Sequence, residues 1–338
     1  MRAYQLIDGN DVKALAITER PAPQAGAGQV VIDVKACSLN YRDLLVVKGS
    51  YASSGRASGV VPLSDGAGMI SAVGAGVHGL AVGDRVAGAF MPDFTAGVLT
   101  PELQAGSLGG AVDGMLAEQV VLPAHGVVKI PEHLSFAQAA TLPCAGVTAW
   151  YAQFVGGNLR PGQTVLLLGT GGVSIFALQF AKLAGARVII TSSDDAKLAR
   201  ARDLGADEAI NYRTTEDWPE KVLELTDGRG VDHAVEVGGP GTLTKTLQSL
   251  RHGGSISLMG VLTGVADQVA TGLILSKNIK IQGTYVGSVA HFRDMNAAIA
   301  LHRLQPVVDK VFDFEDAPAA LAHLESGRHF GKIAIAVG

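Results

Sequence analysis

Thr164-Val-Leu-Leu-Leu-Gly169-Thr-Gly171-Gly172-Val173-Ser174-Ile-Phe-Ala-Leu178 runs from an apolar stretch through a cluster of glycines into apolar residues at helical spacing. That order predicts a buried strand, a tight turn and a helix. The first glycine permits the turn, and the second lets the backbone come close to a phosphate. The helix N-terminus that follows offers free N–H donors and a favourable dipole. Ser174 stands where the usual pattern has a third glycine and is small enough to keep helix and strand together. A glycine cluster alone is a weak signal, because any sharp strand-to-helix turn can use one, so the flanking elements decide its meaning.

Working outward, the alternation continues. Arg187–Thr191, Glu208–Asn211, Val231–Val237, Ser255–Met259 and Ile279–Gly283 read as strands. Val173–Leu183, Ala196–Leu204, Glu216–Leu225 and Leu243–Leu250 read as helices between them. Buried strands alternating with helices predict an α/β doubly wound parallel sheet of the Rossmann type. Before it, two helical stretches are expected, Phe136–Leu142 and Ala145–Phe154. From Met1 to about His125 the texture differs: short β-rich runs such as Gln29–Ala36, Gly68–Val73 and Asp84–Ala89 alternate with glycine turns, which predicts a compact barrel-like β domain. The tail carries helices through His291–Leu304 and Ala317–Ser326 and a last strand, Lys332–Val337. It is too short for a third domain and is expected to complete the first one. The division expected is therefore 1–130 with 288–338, interrupted by an inserted dinucleotide-binding domain over 131–287.

At 338 residues the chain exceeds one ordinary core and suits two domains. It is 48% hydrophobic and 17% charged, which excludes a disordered polyelectrolyte. A formal net charge of −4 supplies no broad cationic field for nucleic acid or an anionic membrane, which leaves small-molecule chemistry or protein contacts. The opening MRAYQLIDGNDVKAL lacks a signal-peptide apolar run, and no stretch approaches the ~18–20 residues of a membrane span, so a soluble cytoplasmic protein is expected. Cys37 and Cys144 are the only cysteines, which fits a reducing compartment. Both read best as small buried hydrophobes.

Two inventories bear on chemistry. At the end of the second strand, Thr191-Ser192-Ser193-Asp194-Asp195-Ala-Lys197 lacks a lone acidic residue for ribose hydroxyls. Ser192 and Ser193 are suited to a 2′-phosphate, with Lys197 adding charge and Tyr212 or Arg213 close by in the loop after strand three. Asp194 and Asp195 cut the other way, and Ser193 or Asp194 could equally cap the helix. NADPH is expected, with NADH second. The zinc inventory is thin. Structural zinc needs about four close Cys or His ligands, and Met91–Gly110 holds neither residue type. Catalytic zinc needs three ligands, and the nine histidines form no His-x-x-His or Gly-His-Glu arrangement. No metal is expected.

These residues look familiar. The chain resembles the medium-chain dehydrogenase/reductase superfamily, and within it the zinc-free quinone oxidoreductase-like branch that includes zeta-crystallin and enone reductases. The resemblance rests on Cys37-Ser-Leu-Asn40-Tyr-Arg42-Asp43, Pro62-Leu-Ser64-Asp65-Gly-Ala-Gly-Met, Gly83-Asp-Arg-Val, Gly146-Val-Thr148-Ala-Trp-Tyr, the glycine turn, and Ala209-Ile-Asn-Tyr212-Arg. It implies a GroES-like, partly open barrel for the β-rich domain. It also implies that Asn40 replaces the first catalytic cysteine of zinc-containing relatives, that Ser64 and Asp65 replace their histidine and glutamate, and that Cys144 alone falls on a ligand position. By the same resemblance Gly169, Gly171, Gly172, Val173 and Gly238 belong to the cofactor cradle. Ser192, Lys197 and Tyr212 then face the phosphate that marks NADPH, and Thr148, Gly260-Val261-Leu262, Phe330 and Lys332 lie near the nicotinamide half. Where some quinone reductases carry a tyrosine shortly after the asparagine, this chain has Leu45.

Without a metal to polarise an isolated ketone, a conjugated acceptor is the better substrate, because it spreads incoming charge onto an oxygen that hydrogen bonds can hold. Hydride transfer from NADPH to an α,β-unsaturated carbonyl or a quinone is expected. Asn40 is the candidate donor to the substrate oxygen and Tyr51 a candidate proton donor, with an ordinary loop aromatic the blander reading of Tyr51. Asp65 is a candidate proton relay or else a buried turn former. Arg42 and Asp43 either position Asn40 or form a structural ion pair. Two alternatives stand beside this: an NAD(P)-dependent alcohol dehydrogenase, and a non-enzymatic NADPH-binding structural or regulatory protein. A homodimer or homotetramer is expected through the edge strand Ile279–Gly283, which would otherwise stay unpaired.

Overall fold

The computed structural model describes residues 1–7, 15–51 and 59–338. The middle of the Gly49–Val60 loop and residues 8–14 lie outside the described residues. The chain divides into two compact units, Met1–Val147 with Gly287–Gly338, and Thr148–Val286.

In the Thr148–Val286 unit, Thr164–Leu168 is buried at every position. Continuous burial is the property of a strand covered on both faces, and it matches the unbroken apolar run. Six strands pair in parallel in the spatial order Glu208–Asn211, Arg187–Ser192, Thr164–Leu168, Val231–Glu236, Leu250–Leu258, Lys280–Gly283. The chain starts at Thr164–Leu168, builds outward on one side, then crosses back to add Val231–Glu236 on the other. That reversal is the switch point at which a doubly wound sheet opens a crevice beyond its strand ends. Helices Gly172–Leu183, Asp195–Asp203, Trp218–Glu224 and Pro240–Ser249 make the connections. Leu166, Ile189, Ala234, Val222 and Leu247 close the core against one face.

In the other unit, a seven-stranded, mostly antiparallel sheet surrounds a large apolar cluster containing Leu6, Ile32, Ile70, Met115, Leu116 and Ile333. Its organising element is Gln29–Ser38. One edge pairs with Asp65–Val73 over nearly its whole length. The other edge is shared, with Gln119–Pro123 against residues 29–33 and Lys332–Ala336 against residues 36–38. The last strand of the tail is thereby built into the sheet of the first hundred residues.

Two stretches differ from the sequence expectation. The β-rich region contains the helices Tyr41–Val47 and Pro101–Ala105, each too short to show a helical period. The expected Phe136–Leu142 helix ends at Ala139. The run from Leu142 to Gly156 is then helical, but wound as π-turns over Leu142–Gly146 and Tyr151–Gly156 around one α-turn, Val147–Trp150. Pro143, at the start of the first π-turn, brings no N–H to an α-helical ladder. Among the described residues, no helix is long and apolar enough to cross a membrane.

Candidate functional site

The glycine turn is cut to receive something. Gly169 has φ of +73°, which a side chain rarely tolerates, and a Cβ placed on it or on Gly171 would meet nothing within 4 Å. Gly171 caps the helix Gly172–Leu183 in an extended conformation, so the free N–H groups of Gly172, Val173 and Ser174 stand at an open cradle. Ser174 turns its hydroxyl inward, Oγ donating to the Leu168 carbonyl at 2.6 Å. That bond ties helix to strand where a third glycine would otherwise have let them approach.

The neighbouring strand ends complete the crevice. Ser192 is buried at the end of its strand, with Thr170 Oγ1 3.5 Å from its hydroxyl. Because Asn211 pairs opposite Ser192, Tyr212 N–H donates to the Ser192 carbonyl at 3.0 Å, and the Tyr212 side chain is exposed. Ser193 and Lys197 are half-buried on the same turn. The two aspartates have local work. Asp194 caps its helix by accepting from Ala196 N–H at 2.8 Å and Lys197 N–H at 3.1 Å, and Asp195 Oδ1 accepts from Asn211 Nδ2 at 2.8 Å. The cap expected of Ser193 or Asp194 thus falls to Asp194.

Beyond the fourth and fifth strands, Glu236 is a fully buried carboxylate that sequence reasoning missed. It accepts from the N–H groups of Gly238 and Gly239 at 2.7 and 3.0 Å, and from the hydroxyls of Thr242 and Thr246. A Cβ on Gly238 would lie 2.2 Å from the Thr242 hydroxyl, and one on Gly260 only 1.6 Å from the Val237 carbonyl oxygen. These two glycines have packing reasons of their own, whereas Val261 and Leu262 are left exposed at the sheet's rim. Thr148 is buried within the single α-turn described above.

The other unit gathers polar side chains where an apolar core would be expected. In the sheet Ser38 lies opposite Asp65 on one side and Ala334 on the other. Continuing the antiparallel register by two residues sets Asn40 against Lys332. Lys332 is 3% exposed, Asn40 9% and Asp65 0%, so these contacts are made away from water. Lys332 Nζ donates to Asn40 Oδ1 at 2.6 Å and to the Leu39 carbonyl, and it lies 4.0 Å from Asp65 Oδ2. Asp65 in turn accepts from Ser64 Oγ at 2.8 Å and from Cys144 N–H at 3.3 Å. Burial pushes its carboxyl above the usual range, against the pull of Lys332 and of the Asn40, Ser64 and Cys144 donors around it. The Asn40 Nδ2 faces this carboxylate and is buried, with no hydrogen bond of good geometry among the described residues.

Asn40 is held from the backbone side as well. It caps Tyr41–Val47: Asp43 Oδ2 accepts from Asn40 N–H at 2.7 Å, and Asp43 N–H donates back to the Asn40 carbonyl at 2.9 Å. An acidic residue three places after a potential cap was the available signal for this helix. Arg42 lies 3.7 Å from Asp43 Oδ1 and donates to the Leu108 carbonyl at 2.6 Å. Its guanidinium stacks between the rings of Tyr51 and Phe90, 5.0 and 4.9 Å from their centroids. That contact places Tyr51 beside Arg42. Arg42 and Asp43 thus form an ion pair whose acid also holds the Asn40 backbone N–H.

Cys37 is buried, its thiol donating to the Met115 carbonyl. Cys144 keeps part of its surface exposed, yet desolvation, with the Asp65 carboxylate adding, pushes its thiol well above the ordinary range. Phe330 is buried two residues before Lys332. Among the described residues, no three His, Cys, Asp or Glu side chains are grouped as metal ligands. Asn40, Asp65 and Lys332 are thus brought together in one unit, and the glycine turn, Ser192, Ser193, Lys197 and Tyr212 in the other.

Comparison with known proteins matches residues 26–132 to the alcohol dehydrogenase GroES-like domain and residues 172–302 to the zinc-binding dehydrogenase family. A zinc-type alcohol dehydrogenase-like protein of Schizosaccharomyces pombe is 45% identical over 92% of this chain and 91% of its own. A crystal structure of an NAD-dependent alcohol dehydrogenase is 33% identical, with a TM-score of 0.91 over the full length of both chains. A quinone oxidoreductase of Pseudomonas syringae pv. tomato is 28% identical, with a TM-score of 0.83 over 99% of each chain.

Proposed function

Because this chain belongs to the medium-chain dehydrogenase/reductase superfamily and is an oxidoreductase of it, we propose that it reduces an α,β-unsaturated carbonyl or a quinone with NADPH and without zinc. The observation that carries the reading is the buried Asn40 amide, which brings two N–H donors; the Asp65 carboxylate it faces takes one at most, and the other is left for a substrate oxygen.

The open turn at Gly169 and Gly171 and the N–H groups of Gly172 and Val173 would hold the cofactor's pyrophosphate. Ser192, Ser193, Lys197 and Tyr212 would hold the 2′-phosphate, a preference supported by the commitment of Asp194 and Asp195 to local hydrogen bonds. Thr148, Gly238, Gly260, Val261, Leu262 and Phe330 would flank the rest of it. NADPH supplies a hydride when bound. With that hydride on the β-carbon of the enone, the Asn40 amide would hold the negative charge left on the carbonyl oxygen. A proton then completes the α-carbon, from water or from Tyr51.

The reading without zinc rests on the donor set. Catalytic zinc needs three protein ligands. Asn40 Oδ1 is taken by Lys332, the Ser64 hydroxyl by Asp65, and the remaining ligand types are Asp65 and Cys144. The names of the relatives favour a second reading, an alcohol dehydrogenase acting on an alcohol and aldehyde couple. A further part of the proposal is self-association through Lys280–Gly283, the edge of the parallel sheet.

The experiment is cofactor oxidation by metal-stripped protein, followed by loss of the reduced nicotinamide absorbance, with an enone, a quinone and a simple ketone and with NADPH and NADH in parallel. Turnover of the conjugated acceptors without metal, faster with NADPH, is expected. Activity confined to the ketone or alcohol couple and restored by zinc overturns the proposal.

A further inference from the structure

We propose that Lys332 is a positioning residue for the reaction, the fixed internal cation that sets which way the Asn40 amide faces and sharpens its donor. The inference rests on the reading of Asn40 given above and adds to it a residue that the family resemblance placed with the cofactor instead.

An asparagine amide is ambiguous, since its oxygen and nitrogen ends exchange by a half-turn of the side chain. A lysine head removes the ambiguity, because it carries only donors. With Nζ at 2.6 Å, the end of Asn40 facing Lys332 has to be the oxygen, and the nitrogen has to face the other way. The lysine head brings three N–H donors, so its other partners do not displace the Asn40 oxygen. Its remaining contacts are the Leu39 carbonyl, on the residue before Asn40, and Asp65 at 4.0 Å. Both fix the head in place, and both come from the strand ends that carry Asn40 and Ser64. The side chain is buried, so water does not screen its charge. A cation bound at the oxygen of an amide withdraws electron density and makes the opposite N–H groups better donors. Of those two N–H groups one faces the Asp65 carboxylate, and among the described residues no group takes the other. The arrangement sets a cation, with Asp65 as its counter-ion, behind the one amide that meets a developing oxyanion, at a place where neither Asn40 nor Ser64 offers a metal a free ligand atom.

A direct cofactor role for Lys332 predicts something different. It would lower cofactor affinity on substitution and would act independently of Asn40. The experiment is a double-mutant cycle of Lys332→Met and Asn40→Ala, with kcat, both KM values and NADPH dissociation constants measured for each protein. Lys332→Gln is included because it keeps a donor to Asn40 Oδ1 without the charge. NADPH binding and thermal unfolding certify each fold, and if Lys332→Met does not fold, the cycle is run with Lys332→Gln. The couple assayed is whichever one wild type turns over, so a failed enone assignment shows up in wild type alone while the cycle still reports on Lys332.

Expected is a fall in kcat of roughly tenfold to a hundredfold for Lys332→Met, a smaller fall for Lys332→Gln, and NADPH binding within about twofold of wild type, scaled from the loss of one oxyanion donor. In the Asn40→Ala background, Lys332→Met is expected to cost no more than about a further twofold. Equal, multiplicative losses in both backgrounds overturn the inference, as does a loss confined to NADPH affinity.

Discussion

Asp43 carries a cost that its neighbours only partly offset. It is 1% exposed, and burial pushes its carboxyl up to about 6, with Asp65 adding and Arg42, the Asn40 N–H and Lys332 opposing. Its folded value is therefore raised above its unfolded value, so the neutral form is the stabilising one. That stability is complete below about pH 4 and is lost as pH rises through about 6. Asp43→Asn keeps an oxygen for the Asn40 N–H and has no charge to desolvate. Relative to wild type it is expected to gain up to about 3 kcal/mol between pH 4 and pH 7, read from urea midpoints at each pH. A difference that stays flat across this window means that the carboxylate is solvated after all. The Asn40-x-x-Asp43 spacing was visible in the sequence, but the charge cost was not, because it depends on Asp65 and Lys332 from distant segments.

At the scale of an element, the strand–turn–helix at Gly169 separates space kept for a ligand from space needed by the fold. Gly171 has no neighbour for a Cβ and an ordinary backbone conformation. Gly171→Ala is expected to fold, with Tm lowered by no more than about 2–4 °C. NADPH affinity is expected to fall roughly tenfold or more, an effect of about 1.4 kcal/mol or above. Gly260→Ala, whose Cβ would sit against the Val237 carbonyl, is expected to lose the fold itself. Calorimetry with and without NADPH distinguishes them, and unchanged NADPH affinity in Gly171→Ala would sink the cradle. This turn was legible because its signal is local: apolar strand, glycines, then helical spacing within fifteen residues. The Tyr41–Val47 helix and the π-turns from Leu142 were not, since seven residues carry no period and π-winding is decided by packing around Pro143.

For the whole molecule, the edge strand Lys280–Gly283 pairs on one side only among the described residues, with Leu250–Leu258. An exposed parallel edge is a template for another strand, so light scattering is expected to give a multiple of the chain mass, with the amides of 280–283 protected from exchange. A monomer mass with fast exchange there counts against self-association. The sequence by itself determined what depends on neighbours along the chain: the α/β alternation, the glycine turn, the serine and lysine at the second strand's end, and a helix cap at Ser193 or Asp194. Through composition it also left a folded chain with no broad cationic field to small-molecule chemistry or protein contacts. Only the tertiary structure decided the pairing of Asn40 with Lys332. Those residues are 292 positions apart and meet because the last strand enters the sheet opposite Ser38. A register between distant strands leaves no periodic trace in the chain, and the direction in which a buried amide faces is set by the cation that register delivers.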